Sequence, residues 1–312
     1  MPTPPAPQRL LVALRKSALS LCHAQYIRAR LLQIYPECDI VLRGITTQGD
    51  RIIDQPLADL GGKGLFIKEI ETAMVEGRAD FAVHSLKDMP MDMPAGFTLA
   101  AIPEREDPRD ALVSNQYPTL DALPDGAVVG TSSLRREAQL RERNPLLKIK
   151  LLRGNVNTRV RKLDEGLYDA MILAVAGLNR LELGHRISSA LAPEKFLPAV
   201  GQGALGLECC SDRADVIAAL APIADVDTTL ATTAERAFSR ALAGSCHAPI
   251  AGYAMLRDGE LWLRGLLASR DGCDVMRGER SATVNDVAGA DELGRALAGE
   301  FLERGAARLA AA

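Results

Sequence analysis

From Leu10 onward the chain alternates short apolar runs with stretches patterned at helical period, and this alternation limits the possible fold more than any other feature. The run "LLVAL" predicts a strand, and "SALSLCHAQYIRARLLQIY" an amphipathic helix opened by Ser17 as N-cap. "DIVLRGIT" is a second strand, "LFIKEIETAMVEG" a second helix stopped by Gly77, and "ADFAVHSL" a third strand. Such a βαβαβ opening is the signature of an α/β sheet. The series recurs in "AVVGTSSLRREAQL", "KIKLLRGNVNTRVRKLDEG" and "YDAMILAVAGL". Both series end alike, with Glu76-Gly77-x-x-Asp80 before "FAVHS" and Glu165-Gly166-x-x-Asp169 before "AMILA", an echo that adds modest support for two lobes of similar build.

Between the series, "IPEREDPRDAL" reads as a charged, proline-bearing connection, and "PEKFLPAVGQGALG" as a return crossing. After Asp225 the pattern changes. One helix, "LATTAERAFSRAL", precedes apolar runs separated by Asp258-Gly259 and Asp271-Gly272, then a final helix. Asp-Gly between apolar segments is a strong hairpin signal, so this region is expected to be an antiparallel α+β domain.

Charge is distributed unevenly. Residues 131–162 hold ten basic side chains against Glu137 and Glu142, a local +8 in a chain whose formal net charge is −3. The arginines sit where strands hand over to helices, in "GTSSLRR" and "RGNVNTR". Helix N-termini present free N–H groups and a positive dipole end, and arginine adds a planar fork for carboxylates, so an anion site is expected there. A solvated surface face is the plainer alternative. Nucleic acid is a poor partner, because the island contains no Phe, Tyr or Trp on which bases could stack and the chain as a whole is acidic. A small polyanion fits better.

Other motifs have plainer readings beside the functional ones. "GGKG" (61–64) lacks the Ser or Thr that a P-loop places after its lysine; it suits either a mobile loop carrying Lys63 and Phe66 or a simple turn. "GQGALG" (201–206) matches the dinucleotide glycine pattern, but no convincing strand leads into it, so close packing or a hinge is expected. "HSLKDMP" (84–90) puts Lys87 and Asp88 at the carboxyl end of a strand, where α/β sheets face their ligands, so that Asp88 is placed to stabilise a developing cation or to form a structural ion pair. "AGSCHAP" places Cys246 in a small-residue loop that suggests an accessible thiol; a papain-type nucleophile is set aside, since only His247 follows it. Cys22, Cys38 and Cys273 read as inert packing residues. The six cysteines form no C-x-x-C pair and the four histidines have no ligand spacing, so neither disulfides nor a metal site is expected. Apolar runs stop well short of the roughly 18 residues that cross a bilayer, and the proline-rich start has no apolar export segment, so a soluble cytoplasmic protein without a membrane partner is expected.

Taken in order, "GGKGLFIKE", "ADFAVHSLKDMP", "EREDPRDA", "VGTSSLRRE", "LRGNVNTR", "DAMILAVAGLNRL", "LPAVGQGALG" and "GSCHAPI" closely resemble the porphobilinogen deaminase (hydroxymethylbilane synthase) family over essentially the whole chain after its proline leader. The resemblance implies two periplasmic-binding-protein-like lobes with mixed five-stranded sheets, and a third α+β domain with a three-stranded antiparallel sheet. It divides the chain into residues 1–103 with 204–221, 104–203, and 222–312, with the active cleft between the lobes. It further implies a transferase that deaminates porphobilinogen and joins four molecules head to tail onto a dipyrromethane cofactor, releasing hydroxymethylbilane and ammonia. By the same resemblance Cys246 carries the cofactor through a thioether and Asp88 is the catalytic carboxylate. Ser17, Ser85, Lys87, Thr131, Ser132, Ser133, Arg135 and Arg136 match cofactor-binding positions, and Arg15, Lys63, Phe66, Arg153, Arg159 and Gln202 substrate-binding ones. The expected partners are the small molecule porphobilinogen and, for hand-over of product, uroporphyrinogen-III synthase; the expected state is a monomer. Two departures stand out. The family has Thr before the arginine matched by Arg15, where this chain has Leu14, and it commonly has Gln or Ser where His247 follows Cys246. An imidazolium that lowers the Cys246 pKa and a solvent-exposed bystander are both open readings of His247. A rival class is a two-lobed binding protein that holds a polyanion without reacting; it gives Cys246 no special use.

Overall fold

The computed structural model describes residues 6–47, 67–242, 249–269 and 271–311. The chain divides into two compact units, residues 1–105 with 204–229 and residues 106–203 with 230–312.

In the first unit, β1 (Arg9–Arg15) buries Val12, Ala13 and Leu14 in succession, as an interior parallel strand covered on both faces must. Ser17 caps α1 (Ala18–Ile34), accepting from the Ser20 N–H at 3.2 Å, and the helix turns Ala24, Ile27 and Leu31 to the core at helical spacing. β2 (Asp39–Ile45) pairs parallel with β1 along its whole length. α2 (Lys68–Val75) ends at Gly77, whose φ of +69° is the left-handed stop that glycine accepts without strain. β3 (Phe81–Ser85) returns parallel to β1. The sheet is completed by β4 (Phe97–Ala101) and by β10 (Leu205–Cys210), which inserts antiparallel between β3 and β4 to give the order β2-β1-β3-β10-β4.

The second unit repeats this plan. β5 (Asp110–Val113), β6 (Val128–Thr131), α3 (Leu134–Arg143), β7 (Lys148–Leu151), α4 (Val156–Asp164), β8 (Ala170–Ala174), α5 (Val175–Arg180) and β9 (Ser189–Leu191) build a sheet of order β7-β6-β8-β5-β9. Here too the three strands at one end run parallel, and an antiparallel strand, β5, occupies the fourth place. The Glu-Gly-x-x-Asp echo has a shared structural role. Asp80 accepts from the Leu11 N–H at 2.7 Å while its own N–H donates to Leu11 O; Asp169 does the same to Val128, also at 2.7 Å. Each aspartate therefore closes the start of the ladder between its own strand and the neighbouring parallel strand and sets the register, after a glycine in the left-handed region (Gly77, Gly166) has turned the chain. "IPEREDPRDAL", read from sequence as a connection, already contains the start of β5. Four residues are too few to show a strand period, and β5 is held by ladders to β8 and β9.

The same unit carries an antiparallel meander of β11 (Ile250–Arg257), β12 (Glu260–Ala268) and β13 (Val275–Ala282). Asp258 and Gly259 form its first hairpin turn with φ of +52° and +83°, the paired left-handed values a two-residue turn requires. α7 (Val226–Leu242), α8 (Val287–Glu303) and α9 (Ala306–Ala311) pack over it, with Phe238 and Phe301 meeting edge to face at 5.1 Å. The remaining helix, α6 (Ala214–Leu220), covers the first unit's sheet. Among the described residues no single helix is long and apolar enough to cross a membrane.

Candidate active site

In the first unit the chain leaves β3 at Ser85 and makes one tight turn over Leu86–Asp88. Leu86 and Met89 are fully buried and anchor the turn, which leaves Lys87 half-buried and Asp88 exposed. Leu86 N–H donates to Ala204 O, tying the turn to the start of β10. Gly206 permits that packing, because a Cβ there would lie 2.9 Å from Leu99 and Met89 side-chain atoms. Asp88 shares one surface depression with Arg15, Ser17, His23, His84 and Ser85. The end of β1 and the first turn of α1 thus bring a guanidinium and a hydroxyl to the same hollow as the carboxylate at the end of β3. Leu14, the departure beside Arg15, is buried in β1 and takes no part in the depression's lining.

Behind this hollow lies a cluster that sequence reading missed. His84 Nε2 is 2.9 Å from Glu208 Oε2, and both side chains are buried. Glu71 on α2 faces Glu208, and burial, with the Glu208 charge second, pushes the Glu71 carboxyl above its usual range. A glutamate within the apolar run "LGLECC" was the only signal in the sequence.

In the second unit both strand-to-helix turns are anion-binding in form. Thr131 ends β6 buried, and its Oγ1 accepts from the Ser133 N–H at 3.1 Å; Ser133 caps α3, and Ser132 is exposed. After β7, Gly154 turns the chain with φ +117°, Asn155 caps α4, and Arg159 Nε donates to Gly154 O at 2.8 Å. Among the described residues the half-buried Arg153 guanidinium has no acid or carbonyl partner.

Arg135 and Arg136 are placed differently from the open anion-binding forks expected of them. Each is 6% exposed, and both are engaged by Asp110, the first residue of β5. Gln202 is fully buried, and its amide donates to Pro108 O at 2.8 Å and to Asp110 Oδ1 at 3.0 Å. The structure therefore gathers Asp88, Arg15, Ser17 and Ser85 in one place. Thr131, Ser132, Ser133, Arg153 and Arg159 lie at two turns of another unit. Cys246, Lys63 and Phe66 lie outside the described residues. Of the other thiols, burial foremost raises Cys38, Cys210 and Cys209, the last to about 11, while the Asp271 side chain raises Cys273.

Residues 10–218 match the family model described as "Porphobilinogen deaminase, dipyromethane cofactor binding domain", and residues 229–303 match "Porphobilinogen deaminase, C-terminal domain". The chain belongs to the porphobilinogen deaminase family. Proteins named porphobilinogen deaminase are similar over nearly the whole length: 55% identity in Paraburkholderia phytofirmans (96% of this chain, 88% of that one), 57% in Ralstonia nicotianae (96% and 90%) and 54% in Chromobacterium violaceum (97% of each). Among solved structures, a putative methionine-binding lipoprotein of Bacillus subtilis is similar at 13% identity and a TM-score of 0.45, covering 69% of this chain and 90% of that one. Membership of the porphobilinogen deaminase family makes the chain an enzyme of tetrapyrrole biosynthesis with a dipyrromethane cofactor. The residues present fit such a group, whose acetate and propionate arms need cations. Arg153 is unengaged among the described residues, and Arg135 and Arg136 together carry one more positive charge than Asp110 cancels.

Proposed function

We propose that this chain deaminates porphobilinogen and joins four molecules head to tail onto a dipyrromethane primer attached through Cys246, releasing hydroxymethylbilane and ammonia. The observation that carries this reading is the meeting of Asp88, Arg15, Ser17 and Ser85 in one depression at the carboxyl end of β3. When bound, the cofactor supplies the pyrrole carbon to which the first substrate is joined. Asp88 stands exposed to accept from a pyrrole N–H. As the C–N bond of the aminomethyl group breaks and its electron pair leaves with ammonia, positive charge spreads onto that ring, and an adjacent carboxylate stabilises it. Asp88 is also the group to accept the proton that the attacking pyrrole carbon loses on coupling. Arg15 in the same hollow, with Arg153 and Arg159 in the second unit, neutralises carboxylates that accumulate as rings are added. Thr131, Ser132 and Ser133 offer hydroxyl and backbone donors at the N-terminus of α3, and Ser17 does so at α1. Lys63 and Phe66 are assigned to the substrate, and Lys87 to the cofactor. The sheet-borne lobes, residues 1–103 with 204–221 and 104–203, hold the reacting groups, and residues 222–312 carry the cofactor cysteine. The reading also takes the chain to act as a cytoplasmic monomer that passes its product to uroporphyrinogen-III synthase.

Intact mass spectrometry tests the attachment. The native chain should carry an added mass equal to two linked pyrroles, and Cys246→Ala should lack it and be inactive. In the same preparation scheme, Asp88→Asn should keep the added mass while kcat falls roughly a hundredfold or more. A native chain without bound pyrrole that leaves porphobilinogen unchanged would overturn the reading.

A further inference from the structure

Asp110 is fully buried, yet it lies in a stretch whose charge looks like that of a surface connection. Its Oδ2 accepts from Arg135 Nη1 at 2.7 Å. Its Oδ1 accepts from Arg136 Nη2 at 2.7 Å, Arg136 Nε at 3.1 Å and Gln202 Nε2 at 3.0 Å. Both guanidiniums are then pinned by carbonyls: Arg135 Nη1 donates to Leu197 O at 2.6 Å, and Arg136 Nη1 to Ile172 O at 2.9 Å. Gln139, one turn along α3, ties to Leu197 through both its N–H and its carbonyl. The network continues into the helix that precedes the cofactor cysteine in sequence. Glu235 of α7, also fully buried, accepts from Gly201 N–H at 2.7 Å and from Ala254 N–H at 2.8 Å, and so holds the turn that presents Gln202.

We propose that Asp110 is a positioning residue for the anion-binding turn of the second unit, holding Arg135 and Arg136 in place so that their remaining charge meets a carboxylate of the cofactor. At Asp110 itself two buried guanidiniums meet one carboxylate, which leaves a local excess of positive charge, and a buried charge that is not fully compensated is unfavourable until an anion reaches it. Carbonyl dipoles at Leu197 and Ile172 spread that charge without cancelling it. Arg135 engages Asp110 through one terminal nitrogen, so its planar fork is fixed while its other donors stay outside the Asp110 network. Held in this way, the guanidiniums lose little further freedom when a carboxylate binds. The inference rests on the reading that Arg135 and Arg136 serve the cofactor, and the tests separate the two.

Arg135→Gln, Arg136→Gln, Asp110→Asn and Gln202→Met would be purified and their cofactor-bearing fraction measured by intact mass, with circular dichroism and thermal melts as the check on folding. Asp110→Asn should be folded at 15 °C and carry cofactor in a fraction reduced roughly tenfold or more, as both arginine variants should. Gln202→Met keeps both ion pairs and removes one neutral donor; its KM should rise about threefold to tenfold with kcat within about twofold. If both arginine variants retain full cofactor, the reading of those arginines fails. If they lose it while a folded Asp110→Asn keeps full loading, the positioning role of Asp110 is overturned. Where Asp110→Asn does not fold, Asp110→Glu is measured in its place: it keeps the charge and moves the carboxylate, its cofactor-bearing fraction should fall severalfold, and full loading in that variant overturns the positioning role instead.

Discussion

Glu71 is a half-buried carboxylate and Asp110 a fully buried one, and their surroundings move them in opposite directions. Asp110 is pushed up by burial, but Arg135 and Arg136 more than offset this and hold it well below the usual range. Its contribution to stability is present above the ordinary aspartate value of 3.8 and is lost as pH falls. For Glu71, burial first and the Glu208 charge second outweigh the opposing pull of His84 and raise it from 4.5. Its contribution is therefore full below the unfolded value and is lost as pH rises through the folded one, so that at neutral pH an ionised Glu71 beside Glu208 is a penalty. Glu71→Gln should raise the melting temperature by roughly 1–3 °C at pH 8 and leave it nearly unchanged at pH 4. Scanning calorimetry at the two values checks this; an equal gain at both, or a loss at pH 8, would count against the assignment. In the sequence both clusters show only as an acid touching an apolar run, "DALV" for Asp110 and "LGLECC" for Glu208. The partners lie far away along the chain, at Arg135, Arg136 and His84, and no local pattern names them. Asp88 was legible because a polar cluster closing an apolar strand is itself local.

The elements were legible wherever a short-range rule writes them. Ser17, Ser133 and Asn155 cap helices with side chains that accept from N–H groups three residues on. Gly77 and Gly166 end helices, and Asp258-Gly259 makes the hairpin. Close approach between elements follows a different logic. Gly294 in α8 sits against α7, where a Cβ would lie 2.3 Å from Ala234 O, a backbone atom that cannot step aside. Gly299, five residues on in the same helix, has nothing within 4 Å of its Cβ position. Gly294→Ala should therefore destabilise by about 1–3 kcal/mol through overpacking, whereas Gly299→Ala should stabilise by about 0.5–1 kcal/mol through helix propensity. Urea denaturation of the two variants distinguishes the cases. Both read as the same glycine in a helical pattern, so sequence alone predicts the same sign for each.

The first unit is assembled from two separate pieces of chain, with residues 204–229 returning after the 98 residues of 106–203. β10 from the later piece fills the place between β3 and β4, and Glu208, Gly206 and Cys209 all reach the first unit on it. Without it β3 and β4 each lose a ladder partner, and the Leu86–Asp88 turn loses Ala204. A fragment of residues 1–105 should be unfolded by circular dichroism and amide-proton dispersion, while residues 1–105 joined to 204–229 through a short Gly-Ser linker should fold. A cooperatively folded 1–105 would show that β10 is dispensable to this sheet.

By itself the sequence determined the order and kind of most elements, the two-fold repetition of the lobe plan, the family and the place of Asp88 at the carboxyl end of a strand, because periodicity, caps, turns and motifs act over a few neighbouring residues. Only the tertiary structure decided that Asp110 is the counter-ion of Arg135 and Arg136, that Gln202 belongs to that network, that Glu208 meets His84, and that β5 and β10 enter their sheets antiparallel. Those outcomes depend on which distant groups share a water-poor interior, where an unpaired charge or an unmade ladder costs most, and that apposition exists only once the chain has closed on itself.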